Sequence, residues 1–440
     1  MWQIIRTSSL TLILCLLAVT PARATLTIDV TLWLDNATPI AVVPFAWSGA
    51  GEAPVKMASV ISGDLGRSGK FAPMAENEMV ERPSEGRDVN YASWRNTKMK
   101  YLVVGKVGAL AADNFEVQFQ LFDIDKGAQM IGHSFQVKGA HAMRRLAHRI
   151  SDLIYEAITG ERGAFDTYLA YITVAKDAKG RNVYRLAISD SDSENEQILF
   201  ESTMPIVRPA WSPDGKTLAY VSYATGRPQI YTQNIFTTKT QQLTNFKGSN
   251  LSPSWSPDGR RMAMSLSKDG NAELYIMDLA TRRLHRITNS YGADLEADWM
   301  PDGRSLVFTS DRGGRPQIYK IDVGENGPVG RATRITFSGK ENSRPTVSPD
   351  GKRIAMVNNT EGNYRVAVYD LESEQLSILT EGNLDETPSF APNGSMLIYA
   401  ASGQGRGVLA VVSADGRSSY KFRNKQGDVR EPAWSPYKRD

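Results

Sequence analysis

Apolar and polar positions along the chain follow two regimes that meet near residue 165. Before it, helical and strand periods are mixed; from Ala170 onward the helical period is gone. Residues 25–35 alternate strictly, with Leu26, Ile28, Val30, Leu32 and Leu34 on one side and Thr27, Asp29, Thr31 and Trp33 on the other, as in a half-buried strand. A segment at the start of a mature chain detaches easily, so this strand is expected to be separable from the body. Residues 40–45 predict a buried strand, and 54–65 a helix opened by Pro54 with Val60, Ile61 and Leu65 on one face. A short helix is predicted near 91–98, then strands at 101–107, 115–123 and 129–137. Met143, Leu146, Ala147, Ile150, Leu153, Ile154, Ala157 and Ile158 recur at i, i+3, i+4, i+7, which predicts a long amphipathic helix stopped at Thr159-Gly160.

The second regime repeats. The phrase Pro-Ala-Trp-Ser-Pro-Asp at 209–214 returns as PSWSPDG at 253–259, ADWMPDG at 297–303 and PTVSPDG at 345–351, then as PSFAPNG at 388–394 and PAWSP at 432–436. Its anchor positions, Trp211, Trp255, Trp299, Val347, Phe390 and Trp434, are 44, 44, 48, 43 and 44 residues apart. A period near 44 in β-type sequence is that of a propeller blade. Pro213 suits an early turn position and Gly215 the position that needs φ > 0. The run LAYITV at 169–174 matches the strand LAYVSY at 218–223 but has no anchor before it, whereas Trp434 is an anchor with nothing after it. Joining the two completes a blade. The predicted fold is an α/β N-terminal domain followed by an all-β six-bladed β-propeller closed by the C-terminal strand. The expected divisions are a leader at 1–24, the α/β domain at 25–165 and the propeller at 166–440.

Composition adds the compartment. Arg6, a ten-residue apolar run at 10–19 and the small residues Ala22 and Ala24 form a secretory signal, with cleavage expected after Ala24. The apolar run is too short to span a membrane, so no direct membrane insertion is expected. Cys15 follows Leu14 rather than a small residue, which argues against lipidation, and no cysteine remains after cleavage. Stability in an oxidising compartment must then come from buried area rather than disulfides. Loss of Arg6 and Arg23 lowers the formal charge from +3 to +1, and no basic stripe appears, so nucleic acid is not an expected partner.

Strand polarity decides which loops share a face. The segments leading into the anchor strands, 206–208, 246–252, 290–296, 340–344, 383–387 and 428–431, crowd one channel mouth, together with the hairpins 224–227, 268–271, 311–315 and 403–407. The Ser-Pro-Asp-Gly turns face the other way. The mouth therefore displays Arg208, Ser249, Ser252, Leu295, Glu296, Glu341, Arg344, Asp385, Glu386, Arg430 and Glu431 as candidate partner-binding residues, with Arg227, Arg312 and Arg315 nearby. Mixed charge among Gly-rich loops suits a polar protein or peptide ligand. Solvated loop charge is the plainer account of any one of them.

Catalytic signals are weak. There is no Gly-x-Ser-x-Gly elbow. GDLGRSGK at 63–70 has the wrong glycine spacing for a phosphate loop, with Phe71 where a hydroxyl should stand, and reads as a helix end and turn. DSDSENEQILFE at 190–201 places carboxylates at calcium-loop positions, but Asn195 replaces the required glycine, so a solvated acidic hairpin is expected. His133, His141, His148 and His285 lack metal-ligand spacing, and His148 reads as a packing or capping residue within the long helix. No cofactor and no catalytic residue are expected.

The segments DNATPIAVVPF at 35–45, AHRISDLIYEAITGERGAFDTYLAYIT at 147–173, LDETPSFAPNGSMLIYA at 384–400, GRPQIYKI at 314–321 and EPAWSPY at 431–437 resemble the TolB family, periplasmic components of the Tol–Pal system of Gram-negative envelopes. The resemblance runs from about Asp35 to the C-terminus. It implies a non-enzymatic periplasmic adaptor, monomeric outside its complexes, that binds the Pal lipoprotein through the propeller mouth and TolA through the N-terminal strand, at Leu26, Ile28, Val30, Leu32 and Leu34. Such an adaptor supports outer-membrane integrity and invagination during cell division. Among the mouth residues, Glu296, Asp385 and Glu386 are the favoured Pal contacts. The competing classes are a periplasmic propeller enzyme, which needs a nucleophile or paired carboxylates facing the channel, and a propeller that binds a glycan or small ligand.

Overall fold

The computed structural model describes residues 30–32, 37–111, 113–403, 405–422 and 427–438, with the side chains of 30–32 and of Ala111 outside the description. Strand Thr38–Val42 runs parallel to Phe71–Pro73 on one side and to Tyr101–Ala111 on the other. The sheet continues antiparallel through Asn114–Asp123 to Ala128–Lys138. Ile40, Ala41, Val42 and Val43 are all buried. Both faces of this strand are covered, which is why an unbroken apolar run serves there.

On one face pack helices α1 (Met57–Arg67) and α3 (Ala140–Thr159). Met143, Leu146, Ala147, Ile150 and Ile154 of α3 form the stripe that meets Val60, Ile61 and Leu65 of α1 and the sheet. Helix α1 starts at Met57, three residues after the predicted Pro54, with Lys56 at its N-cap. On the other face the short helix α2 (Tyr91–Asn96) is capped by the Asn90 side chain, which accepts from Ala92 and Ser93 N–H, and it buries Trp94. Helix α3 ends at Gly160, whose φ of 78° is the left-handed stop that residues with a Cβ resist.

The remainder forms six four-stranded antiparallel blades. Blade one is Ile206–Trp211, Thr217–Ser222, Gln229–Asn234 and Thr240–Gln242, from the axis outward. Blades two to five begin at Asn250–Trp255, Asp294–Trp299, Glu341–Val347 and Asp385–Phe390. Blade six is built from both ends: Asp428–Trp434 is innermost and pairs antiparallel with Tyr168–Lys176, Trp434 facing Leu169. Val30–Leu32 adds to the outer edge of blade five, opposite Ser418–Lys421. Leu26, Ile28 and Leu34 of the alternating segment, with Ala24, lie outside the described residues. Among the described residues no helix is long and apolar enough to cross a membrane.

The repeated phrase has a local physical cause. Ser256 Oγ donates to Asp258 Oδ1 at 2.5 Å, Asp258 Oδ1 accepts Arg260 N–H at 3.0 Å, and Ser256 Oγ accepts Arg261 N–H at 2.9 Å. Ser212/Asp214 and Ser348/Asp350 repeat the arrangement. The anchors then bind blade to blade. The indole N–H of Trp211 donates to Ala433 O at 3.0 Å, that of Trp255 to Ala210 O at 3.2 Å, and that of Trp299 to Ser254 O at 3.2 Å.

The α/β domain sits on the turn face at blades five and six. Asn393 of the APNG turn donates to Arg162 O, the Arg162 guanidinium lies 3.8 Å from the Tyr437 ring centre, and Lys438 pairs with Asp166 at 2.6 Å. This corrects two expectations. Residues 190–201 do contain a hairpin bend, but Asp190, Ser191 and Asp192 are buried rather than solvated, because the bend is pressed against the α/β domain. His148 is more than packing: its Nδ1 lies 2.8 Å from the Asp64 carboxylate. GDLGRSGK is a helix end and turn, as expected, with Gly69 at φ 69°.

Gly259 sits at φ +71° with no atom closer than 3.8 Å to a built Cβ. Gly259→Ala therefore meets backbone strain and no clash, and should lower unfolding stability by about 1–2 kcal/mol. A urea midpoint that fell with an unchanged m-value would show this; an unmoved midpoint would contradict the assigned turn.

Candidate protein-binding mouth

Each innermost strand carries the same irregularity. Its pairing with the second strand slips between Val207 and Ala210, Leu251 and Ser254, Leu295 and Asp298, Ser343 and Thr346, Glu386 and Ser389, and Arg430 and Ala433. At each bulge one non-glycine residue is left-handed: Arg208 (φ 59°), Ser252 (50°), Glu296 (59°), Arg344 (55°), Thr387 (54°) and Glu431 (52°). This conformation is disfavoured for residues with a Cβ. Six copies persist because the bulge turns six side chains toward one axis, where Arg208, Glu296, Arg344, Thr387 and Glu431 bond to one another. They line a channel cavity of about 470 Å³ that runs toward the turn face between inner-strand prolines such as Pro209, Pro253 and Pro345.

Two arginines and two glutamates close the waist of this channel. Glu296 pairs with Arg208, and its Oε1 lies 3.7 Å from Arg344 Nε. Glu296 Oε2 accepts the Thr309 hydroxyl and the Arg344 backbone N–H, each at 2.9 Å. Glu431 lies 3.7 Å from Arg208 Nε and 3.5 Å from Arg344 Nη1, and Arg344 also donates to Thr387. Their side chains are only 13–24% exposed, so they form an internal waist rather than a rim. Burial works to raise the Glu296 pKa, but the Arg208 and Arg344 charges outweigh it and hold the carboxyl below its ordinary value. The same carboxylates raise the Arg208 guanidinium against its burial. The quartet is thus neutral in sum. Glu296 and Glu431 are paired carboxylates facing a channel, yet Glu296 is held ionised, the reverse of what a glycosidase general acid requires.

Asp385 is buried, and Gly382 N–H donates to its carboxylate, which burial pushes upward in pKa. It fixes the loop before its strand as Asn250 and Asn342 do in theirs. Ser252 is buried at the waist; Ser249 is half-buried, its N–H donating to Ser267 Oγ. Leu295 is half-buried opposite Thr309. Glu341 accepts from Asn359 at 3.0 Å and lies 3.8 Å from Arg315. Glu386 is half-buried, and Arg430 is exposed and bonded to Asp428. The named residues thus divide between waist, loop supports and rim.

Sequence reasoning passed over the apolar part of the mouth. Tyr291 is 88% exposed and Phe337 73% exposed, in the loops that enter blades three and four. Leu384 and Tyr364 stand exposed beside each other at blades four and five, with Tyr364 N–H donating to Asn383 O. Large apolar side chains inside otherwise polar linkers were the available signal. Exposed aromatic residues flanked by charge are what protein interfaces use as anchors.

Comparison with known proteins gives the same outline. The family model described as the TolB beta propeller domain matches residues 155–438, and that of the TolB amino-terminal domain matches 26–130. The Tol-Pal system protein TolB of Xanthomonas oryzae pv. oryzae (strain MAFF 311018) is 52% identical over 434 residues, 98% of each chain. That of Thioalkalivibrio sulfidiphilus is 51% identical over 431 residues, also 98% of each. The crystal structure of TolB from Acinetobacter baumannii is 40% identical and superimposes with a TM-score of 0.84, covering 94% of this chain and 100% of that one.

The waist should register in stability. Glu296→Gln leaves Arg208 and Arg344 short of a counter-charge and should cost about 2 kcal/mol or more at neutral pH. A carboxyl depressed in the folded state stabilises above its ordinary value of 4.5 and loses that contribution as pH falls through the folded value. Thermal midpoints should therefore fall more steeply below about pH 4.5 in the unmodified protein than in the variant. Parallel acid profiles would contradict the pairing.

Proposed function

The chain belongs to the TolB family of the Tol-Pal system, and from that premise we propose that it is a non-enzymatic periplasmic adaptor with two partner surfaces. The propeller mouth receives Pal, and the N-terminal strand, with Leu26, Ile28, Val30, Leu32 and Leu34, engages TolA. The leader ends at Ala24 and the working division between domains falls at 165–166. The protein acts as a monomer outside these complexes, in the maintenance and inward drawing of the outer membrane.

The observation that carries this reading is the apolar set Tyr291, Phe337, Tyr364 and Leu384 exposed on the mouth face, while the turn face at blades five and six is covered by the α/β domain. In this account Tyr291 and Phe337 are the anchors, and Ser249, Glu341, Glu386 and Arg430 supply the polar rim. Arg208, Ser252, Glu296, Arg344 and Glu431 act beneath them by setting the shape of the waist, and Leu295 and Asp385 hold the loops. Val30–Leu32 supports the second surface, since a short strand on a sheet edge can be exchanged for pairing with another sheet.

Binding of the soluble domain of Pal, measured by calorimetry, tests the first surface. Joint Tyr291→Ala and Phe337→Ala substitution should weaken it about a hundredfold or more, since buried aromatic anchors contribute about 2 kcal/mol or more each, while the thermal midpoint stays unchanged. Undiminished affinity in the double variant would sink the mouth assignment. Removal of residues 25–34 should abolish TolA binding and spare Pal binding; loss of both would make that segment structural.

A further inference from the structure

One buried charged cluster joins the two domains and touches the surfaces above only through Tyr420, which pairs with Val30. Helix α1 contributes Asp64 and Arg67, and α3 contributes Arg144, His148, Ser151 and Asp152. Strand Asn182–Asp190 ends on Asp190 and the bend after it contributes Asp192, and the outer strand of blade five contributes Tyr420. His148 is 1% exposed, with Nδ1 2.8 Å from Asp64 Oδ2 and Nε2 3.6 Å from Asp192 Oδ2. Asp64 also accepts the Ser151 hydroxyl at 2.7 Å and pairs with Arg67, which reaches the Tyr420 hydroxyl across the domain boundary. Asp192 pairs with Arg144, one helical turn before His148, and Asp190 accepts from Asn195 at 2.6 Å.

The imidazole stands between carboxylates of two domains, and its Nε2 has no hydrogen-bond partner. A neutral ring has a single N–H. Directed at Asp64, it turns the Nε2 lone pair toward an Asp192 oxygen, an unfavourable approach in a dry site; directed at Asp192, it leaves Asp64 without its ring donor. The doubly protonated ring keeps its bond to Asp64 and presents a positively charged Nε2–H to Asp192 at ion-pair distance, 3.6 Å. Charge agrees for the groups that face the ring: Asp64, Asp190 and Asp192 stand against Arg67 and Arg144, and one more positive charge balances them. The Asp152 carboxyl, pushed up to about 7 by burial, accepts the Phe165 and Asp166 N–H groups instead.

We propose that the α/β domain is latched to the propeller by a proton on His148, held between Asp64 and Asp192, and that loss of this proton as pH rises loosens the docking. Burial pulls the ring toward the neutral form, but the Asp64 and Asp192 charges outweigh it, and the pKa moves up from 6.5. A base raised in the docked state favours docking fully below its free value, and that contribution is lost as pH rises through the docked value. Between the two values the docked-to-undocked ratio falls by up to about tenfold per pH unit. A metal ion on His148, Asp190 and Asp192 would compete with the proton for the same atoms, but the guanidiniums of Arg144 and Arg67 oppose a further divalent charge there.

The test uses the whole protein in a metal chelator. With only four histidines, the His148 ring signals are assigned by their loss in His148→Gln and titrated by NMR. Because no cysteine follows Cys15, spin labels at Gln136→Cys and Lys239→Cys report one interdomain distance. His148 should titrate above 6.5, and a narrow distance at about pH 6 should gain a longer population toward about pH 9. Asp192→Asn should lower the His148 titration and flatten the pH response. A ring neutral at pH 6, a distance invariant from pH 6 to 9, or a response that appears only when zinc replaces the chelator would each overturn the proposal.

Discussion

The pairing of Asp428–Trp434 with Tyr168–Lys176 is the constraint on which the remaining structure depends. It closes six radiating sheets into a ring, so that each inner strand has a neighbour on both sides. Only in a closed ring do six bulges point at one axis, and only there can the guanidiniums of Arg208 and Arg344 reach carboxylates from blades three and six. The same strand continues into Tyr437 and Lys438, which meet Arg162 and Asp166 between α3 and the first propeller strand. Closure and domain placement are therefore one event in the chain.

This arrangement gives the two ends of the channel different work. The Ser-Pro-Asp-Gly turns satisfy their own polar groups and are left compact, which suits them to bear another domain or face water. At the opposite end the linkers between blades vary in length and leave large apolar side chains uncovered. The charged waist separates the two ends and ties the loop-bearing strands to one another through side chains from four different positions in the ring.

Much of the architecture was legible because it rests on period. The 44-residue spacing, the unmatched Trp434 and the i, i+4 stripe from Met143 to Ile154 each demand a single arrangement. Position 347 shows where period alone stops. Valine there has no indole donor, and the gap is met by the neighbouring blade: Asp298 accepts the Val347 N–H at 2.9 Å and the Ser254 hydroxyl at 3.0 Å. The mouth was legible as a face but not residue by residue. Glu296 and Asp385 look alike in sequence, both acids leading into an anchor strand, but a bulge turns the first into the waist while the second folds back onto its own loop. Asp192 was unreadable for another reason: an acidic bend is solvated unless something is docked on it, and no local pattern states where another domain will sit.

Pal is proposed to be received at the mouth and not at the turns. Amide hydrogen exchange of the full protein, with and without the soluble domain of Pal, tests this most directly. New protection is expected in residues 288–296, 336–344 and 383–387, with the turns at 212–215, 256–259 and 348–351 unchanged. Protection confined to those turns or to the α/β domain would contradict it.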